Sequence, residues 1–339
     1  MNLKLLLKRG ALIAAANWPT VAIQFVAETA FQVLVAIPIL GAAVLVAVVI
    51  GTDLAELLQG GLRDIATRIA AALTSEPIAL VSFGVAFGIT LTAASVLMFL
   101  VKGGVLDVLL AAEESAGAIE REPLSIDTIE PAARFTLERF INGCARLFKS
   151  YLGLGFALLV AYAVTAAAYV AFALYGFRVA DVIGLIGLTS FAAAAAILLI
   201  VWITLVNFVY LLMQIAMAAD NIGFSDAFRA VIAFMRAEFA LLAQVFMVTL
   251  GIEIGATLVS ALAWSGLGLI AFVPLIGLAV IPLQIIALAV RGLAFAYIGL
   301  TAASAYLTLY RREPRALARS SGAVMARPLG PPESGSVAG

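Results

Sequence analysis

The chain has 339 residues, of which 64% are hydrophobic and 12% are charged, and its 20 Lys and Arg residues equal its 20 Asp and Glu residues in number. A water-soluble domain is about half apolar and about a quarter charged. The composition therefore excludes an ordinary soluble protein and predicts an all-α, polytopic transmembrane bundle surrounded by the lipid bilayer.

The sequence contains no histidine and one cysteine, Cys144. Zinc sites of the H-E-x-x-H type and Ser-His-Asp triads need histidine, and a lone cysteine forms no internal disulfide. The chain also lacks the G-x-x-x-x-G-K-[ST] loop that binds nucleotide phosphates. We therefore expect no enzyme activity, no catalytic or metal-binding residue, no cofactor and no nucleic-acid partner.

The first ten residues carry Lys4, Lys8 and Arg9 beside several leucines. This pattern predicts a retained amphipathic segment at the membrane surface rather than a signal peptide. Beyond it, six apolar stretches are long enough to cross the hydrocarbon core, which needs about 20 helical residues. We place the six spans at about residues 22–50, 78–101, 151–175, 183–217, 239–263 and 283–309.

Span one carries Gln24, Glu28 and Gln32 at a spacing of four, which puts them on one helix face. Such a face is costly to expose to lipid, so it should line a cavity or bond to a neighbouring helix. With Glu253 in span five and Arg291 in the last span, these residues form a candidate intramembrane polar cavity. Two interpretations stay open. Either a glutamate carries a proton or binds a cationic headgroup there, or Glu28 or Glu253 pairs structurally with Arg291.

Three segments outside the spans have the periodicity of amphipathic helices. Residues 52–77 form one on the outer side, and residues 131–148 and 221–238 form two on the inner side. Each inner segment contains aromatic and Arg residues and runs directly into the next span. This similarity suggests an internal duplication of a unit made of a span, an amphipathic helix and a span.

Pro274 and Pro282 interrupt the apolar run before the last span, and proline kinks or ends a helix. We therefore predict a short broken or re-entrant segment at about 267–280; a full crossing there would raise the count to seven. The transmembrane domain then covers residues 1–312. Residues 313–339 are rich in Pro, Gly and Ser without apolar periodicity, which predicts a disordered cytoplasmic tail.

The Lys and Arg residues are distributed unevenly between the two sides of the bundle. Seventeen of the 20 lie in the N-terminal segment, in 102–150, in 218–238, and from Arg291 onward. Cytoplasmic ends of spans are enriched in Lys and Arg. Both termini should therefore be cytoplasmic, and the number of spans should be even.

Two stretches of the C-terminal third resemble a known group of proteins. Residues 220–245 read DNIGFSDAFRAVIAFMRAEFALLAQV, and residues 305–313 read AYLTLYRRE. Both are similar to segments of the membrane domain of some glycerophosphodiester phosphodiesterases and of YciC-like inner-membrane proteins, although Arg311 and Arg312 follow Tyr310 where those proteins often have Asp. The resemblance implies a six-span bundle in the bacterial inner membrane. It does not imply the phosphodiesterase activity, because the chain has no phosphodiesterase domain.

Two non-enzymatic functions are consistent with these features. One is a transporter-like protein for a lipid or small solute, or an accessory to envelope maintenance, acting through the polar cavity. The other is a membrane scaffold whose segments 131–148 and 221–238 dock a membrane or cytoplasmic protein partner. The missing histidine and missing motifs disfavour a third function, a membrane-embedded enzyme.

Overall fold

The structure is a computed structural model that describes residues 2–50, 77–123, 125–271 and 276–325. Helices account for nearly all of these residues, and the described part of the chain contains no strand. In chain order the helices are α1 (Leu3–Ala16), α2 (Trp18–Ile50), α3 (Pro77–Ser115), α4 (Ile126–Ile129), α5 (Leu137–Asp220), α6 (Phe224–Ala237), α7 (Phe239–Ala271) and α8 (Ile276–Met325). A 3-10 turn, Glu130–Ala132, lies between α4 and α5. The predicted all-α class is confirmed.

Six stretches of the described helices are long and apolar enough to cross a membrane. They are Trp18–Gly41, Val81–Ser115, Ile126–Phe172, Thr189–Asp220, Phe239–Ala263 and Pro282–Arg312. Each overlaps one predicted span, so the prediction of a six-span membrane protein is confirmed. Because a helix satisfies its backbone N–H and C=O groups internally, it is the form that such apolar sequences adopt in lipid.

Helix α5 contains two spans and folds back on itself between them. The Trp202 Nε1 donates to Thr165 Oγ1 at 2.9 Å, and the rings of Phe172 and Phe191 stack with their centroids 4.3 Å apart. In a straight helix, Thr165 and Trp202 would lie about 55 Å apart, at about 1.5 Å per residue. The chain therefore reverses between Phe172 and Phe191, and its two arms form the antiparallel spans three and four.

The buried core lies at one end of the bundle, and we call this region the packed end. Four parts of the chain meet there: α1, the last turns of α3, both ends of α5, and the second half of the span in α8. Its most completely buried large side chains include Leu6, Ile13, Leu109, Leu147, Tyr151, Leu212 and Leu307. Farther along the spans, many apolar side chains are exposed, among them Val85, Val164, Leu198 and Leu262. A membrane protein presents such apolar surfaces to lipid.

Helices α3 and α5 approach each other closely at glycines in the packed end. A Cβ on Gly104 would lie 2.6 Å from the Phe140 ring, and a Cβ on Gly143 would collide with Asp107. Small residues let helix backbones come together, and the resulting packing drives helix association in lipid, where the hydrophobic effect does not. Gly104 and Gly143 therefore set the distance between α3 and α5.

The sequence predicted that the first ten residues lie at the membrane surface, but helix α1 is packed into the bundle. Leu6 is fully buried, and the Tyr297 hydroxyl of α8 donates to Ala11 O at 3.0 Å. At the end of α1, the Asn17 amide donates to Ala132 O at 2.8 Å and accepts from Arg134 N at 2.9 Å. These bonds fix the N-terminal helix against the segment that precedes α5.

The two inner amphipathic segments differ in their connection to the next span. Segment 221–238 forms α6, which ends at Ala237 and is separated from α7 by Glu238, whereas segment 131–148 continues from Leu137 without a break into α5. The apolar face of α6 is buried against the bundle, where the Phe234 ring meets the Tyr310 ring edge-on at 5.2 Å. The two units of the duplication that the sequence suggested therefore differ in where their helices begin and end.

Several predicted segments fall wholly or partly outside the described residues. The predicted amphipathic helix at 52–77 is one of them. Near the predicted broken segment at 267–280, α7 ends at Ala271 and α8 begins at Ile276. Helix α8 continues past Glu313, where the predicted tail begins, to Met325. This extension contains Ala, Leu and Arg, which favour helix.

Candidate functional site

A cavity of about 570 Å³ lies among α2, α7 and α8, and we call it the intramembrane cavity. The parts of these helices that line the cavity belong to candidate spans. Its lining residues are Phe25, Glu28, Thr29, Gln32, Thr257, Ile285, Leu288, Ala289, Arg291, Gly292 and Phe295. The structure thus places three of the five residues predicted for a polar cavity, Glu28, Gln32 and Arg291, around one space.

The Glu28 carboxylate is positioned by its own helix. Gln24, one turn earlier, is buried, and its Nε2 donates to Glu28 Oε1 at 2.5 Å, while its Oε1 accepts no hydrogen bond. Lys102 of α3 lies within electrostatic range of Glu28. Lys102 belongs to the apolar stretch Val81–Ser115, one residue beyond the predicted end of span two.

Arg291 reaches the same cavity from α8. Its guanidinium carbon lies 5.6 Å from the centroid of the Phe295 ring, whose π face stabilises the cation. The close approach of α2 to α8 depends on Gly292, because a Cβ there would collide with the Phe25 ring. Among the described residues, the ion pairs include none between Arg291 and Glu28. The Glu28 carboxyl group and the Arg291 guanidinium therefore both line the cavity but do not form an ion pair with each other.

Glu253 lies one turn from the intramembrane cavity. Thr257, which lines the cavity, donates from Oγ1 to the Glu253 carbonyl at 2.8 Å. The Glu253 side chain does not line the cavity, and the described part of the chain shows no ion pair between it and Arg291. One of our two interpretations was that Arg291 pairs structurally with Glu28 or Glu253. The ion pairs of the described residues include neither pair. The use of the cavity stays a prediction.

A second polar site, which the sequence analysis missed, lies in the packed end. Arg9 is 5% exposed; its Nε and Nη1 donate to Glu113 and Glu120, each at 2.8 Å, and Nη1 also donates to Gly117 O. Gly117 has a φ of +58°, a left-handed conformation that glycine adopts at little cost, and it turns the chain after α3 toward Arg9. We call Arg9, Glu113, Gly117 and Glu120 the arginine clasp.

The charges of the arginine clasp stabilise one another. Burial alone lowers the pKa of Arg9, but the hydrogen bonds and charges of Glu113 and Glu120 outweigh it and raise that pKa above its ordinary value. Burial alone raises the pKa of Glu120, but the hydrogen bond and charge of Arg9, with the charge of Arg312, hold that pKa below its ordinary value. The charged forms of Arg9 and Glu120 are therefore both favoured, and they bond to each other within the protein, as a structural joint requires.

Further contacts bring the predicted cytoplasmic segments to the packed end. Arg311 of α8 pairs with Glu114 of α3 at 2.7 Å, and the Tyr310 hydroxyl donates to Asp220, the last residue of α5. Together with the arginine clasp, these contacts join the N-terminal helix, the segment after span two, the end of span four and the end of the last span. The four segments rich in Lys and Arg therefore share one end of the bundle.

Comparison with protein-family models, with curated proteins and with solved structures found no match to this chain.

Proposed function

We propose that the protein is a non-enzymatic, multi-pass protein of the bacterial inner membrane that binds a lipid or small solute with a charged group, in the manner of a transporter. The observation that supports this function is the intramembrane cavity shared by Glu28, Gln32 and Arg291. Ionisable residues at membrane depth are costly, and they commonly mark binding sites or pathways.

The chemistry of the cavity lining favours an amphiphile. Glu28 and Arg291 do not pair with each other, so the carboxylate can bind a cation and the guanidinium can bind an anion. Ile285 and Leu288 line the same cavity and are more than half exposed, which offers an apolar wall to a hydrocarbon chain. A ligand whose headgroup carries both signs of charge would satisfy all three surfaces.

The proposal includes an orientation in which the packed end, and with it both termini, is cytoplasmic. The support is the concentration of Lys and Arg in the four segments that meet there. The resemblance to YciC-like proteins and to the phosphodiesterase membrane domain belongs to the same proposal. It bears on the fold and on the inner-membrane location.

Native mass spectrometry of the protein purified in mild detergent tests the binding function. We expect the wild type to retain a co-purified lipid or solute. Because a charge-assisted hydrogen bond contributes about 1.5–3 kcal/mol, Glu28→Gln and Arg291→Gln should each weaken the affinity for the ligand by about tenfold or more and so lower this occupancy. Equal occupancy in the wild type and both variants would contradict the proposal.

Glu253→Gln supplies the matched control, since this glutamate lies in a span one turn from the cavity without lining it. We expect its occupancy to equal that of the wild type. A loss in Glu253→Gln as large as in Glu28→Gln would show that the loss reflects a general response to removing an intramembrane charge, which would also count against the cavity.

The alternative function, a membrane scaffold, is favoured by one surface feature. Phe224 and Phe228 of α6 are each nearly half exposed beside the exposed Asp226 and Arg229. If replacement of both phenylalanines by Ala abolished cellular activity while Glu28→Gln preserved it, docking of a protein partner through α6 would replace ligand binding as the function.

A further inference from the structure

Another cavity, of about 630 Å³, lies at the surface of the packed end, between the last turns of α3 and the beginning of α5. We call it the surface cavity. Three arginines line it, Arg134, Arg139 and Arg146, together with two carboxylates, Asp107 and Glu138. The lining therefore has one more positive than negative charge. In the sequence, these arginines belong to the amphipathic segment 131–148 and show no other pattern.

Among the residues that the structure describes, one of the three arginines is neutralised by a carboxylate. Arg146 pairs with Asp107 at 2.6 Å. Arg134 donates from Nε to Ser115 Oγ at 2.9 Å, and Arg139 donates from Nη1 to the Arg134 carbonyl at 3.3 Å. Within the described residues, neither Arg134 nor Arg139 forms an ion pair. Two guanidiniums at one cavity thus have most of their donors free for an anion.

The beginning of α5 adds to the positive potential of the surface cavity. Thr136, which lines the cavity, is the N-cap of α5, and its Oγ1 accepts a hydrogen bond from Arg139 N at 3.2 Å. The N-terminus of a helix carries a partial positive charge that favours bound anions. Asn142, one turn after Glu138, contributes an uncharged amide to the same lining.

The surface cavity lies beside apolar side chains that water would not favour. Leu137 is 64% exposed and Ile141 is 55% exposed, and each is adjacent in sequence to a residue that lines the cavity. One turn apart on α5, they share a face. Helix α5 then enters a span. A polar, cationic cavity next to exposed apolar residues at the start of a span matches the boundary between lipid headgroups and acyl chains.

We infer that the surface cavity binds the phosphate group of an anionic membrane lipid, with Arg134 and Arg139 contacting the phosphate and the acyl chains lying along Leu137 and Ile141. Arginine forks match phosphate oxygens in geometry and charge. Basic pockets between transmembrane helices bind anionic headgroups by the same chemistry. The flanking apolar surface distinguishes a lipid from free phosphate, which would gain nothing from Leu137 and Ile141.

Native mass spectrometry of the full chain in detergent, titrated with phosphatidylglycerol or with phosphatidylcholine of the same acyl chains, tests this inference. We expect the wild type to bind phosphatidylglycerol more tightly than phosphatidylcholine. The double variant Arg134→Gln with Arg139→Gln should lower the phosphatidylglycerol affinity by about thirtyfold, since each basic residue contributes about 1 kcal/mol at an anionic surface. Equal affinities of the wild type for the two lipids would overturn the inference.

A matched variant controls for net charge. Arg229→Gln with Arg236→Gln removes two arginines from α6, outside the surface cavity, and should leave the phosphatidylglycerol affinity unchanged. A fall as large as in the cavity variant would mean that diffuse surface charge binds the lipid, which contradicts a site. Displacement of phosphatidylglycerol by inorganic phosphate at millimolar concentration would assign the cavity to free phosphate and overturn the lipid.

A single substitution keeps the test valid if the double variant aggregates. The Arg139 side chain donates only to a backbone carbonyl among the described contacts, so Arg139→Gln should fold normally. We expect it to lower the phosphatidylglycerol affinity by about fivefold, as loss of one basic residue predicts. An unchanged affinity in a well-folded Arg139→Gln protein would overturn the inference.

Discussion

The packed end and the intramembrane cavity use charged residues in opposite ways. In the arginine clasp, Arg9 is surrounded by Glu113, Glu120 and a backbone carbonyl, and its donors are satisfied within the protein. In the intramembrane cavity, Glu28 and Arg291 line one space without pairing. The difference suggests that the packed end holds the bundle together, whereas the two charged groups of the cavity are not paired with each other, as the proposed binding function requires.

Arg9→Ala should have the largest effect on stability, because it removes the ion-pair partner of Glu113 and leaves Glu120 with only Arg312, which lies 4.0 Å away. Removing one partner of a buried ion pair costs about 3–5 kcal/mol. Denaturant unfolding in detergent, followed by circular dichroism, measures the free energy. The control is Arg229→Ala, whose arginine is exposed and should change the free energy by less than about 1 kcal/mol. Similar losses in the two variants would mean that the clasp does not stabilise the fold.

Gly143→Ala should have the next largest effect, because the added Cβ collides with Asp107 and separates α3 from α5. Overpacking of this kind costs about 1–3 kcal/mol. Gly153→Ala is the matched control on the same helix, where a Cβ meets nothing within 4 Å. The control should be neutral or should gain up to about 1 kcal/mol from helix propensity. If both variants unfolded alike, the close approach of α3 and α5 would be unimportant for stability.

Acid should loosen the packed end through Glu120. The pKa of Glu120 is lowered in the folded protein, so its contribution to stability is complete above its ordinary pKa of 4.5 and is lost as the pH falls through the lower folded value. At pH values below about 4.5, the melting temperature of the wild type should therefore decrease. Glu120→Gln should be less stable at neutral pH and should lack this part of the acid dependence. An identical pH profile in the variant would contradict the role of Glu120.

Glu28→Gln should have the smallest effect on stability. Glutamine keeps an oxygen that can accept from Gln24, and Glu28 has no ion pair with Arg291 to lose. We expect a change in the free energy of unfolding within about 0.5 kcal/mol, measured as for Arg9→Ala. A loss comparable with that of Arg9→Ala would make Glu28 a structural residue and would remove the contrast between the two regions.

The sequence was sufficient for the spans and for one side of the cavity. Apolar runs identify the spans, and the spacing of four residues places Glu28 and Gln32 on one face of α2. That Arg291 reaches the same space, while Glu253 does not, depends on how α2, α7 and α8 pack. Periodicity within a single helix contains no information about the rotation of its neighbours.

The arginine clasp could not be predicted in the same way. Arg9 and Glu113 are 104 residues apart, and no local pattern joins them. Arg9 resembled an ordinary cation of an N-terminal amphipathic segment. The charged stretch after span two, with Glu113, Glu120 and a glycine between them, was the available signal, but it identifies its cationic partner only once α1 is placed in the bundle.

Thiol labelling of the intramembrane cavity tests the central claim most directly. Cys144 is buried and is the only cysteine, so a Cys144→Ala protein provides a background for Gln32→Cys, in the cavity, and Val33→Cys, on the exposed apolar face of α2. Because only the thiolate reacts and it forms where water reaches, a water-soluble methanethiosulfonate should label the protein carrying Gln32→Cys in membranes and leave the one carrying Val33→Cys unlabelled. Failure of Gln32→Cys to react, or equal labelling of the two, would contradict a ligand-accessible cavity beside Glu28 and Arg291.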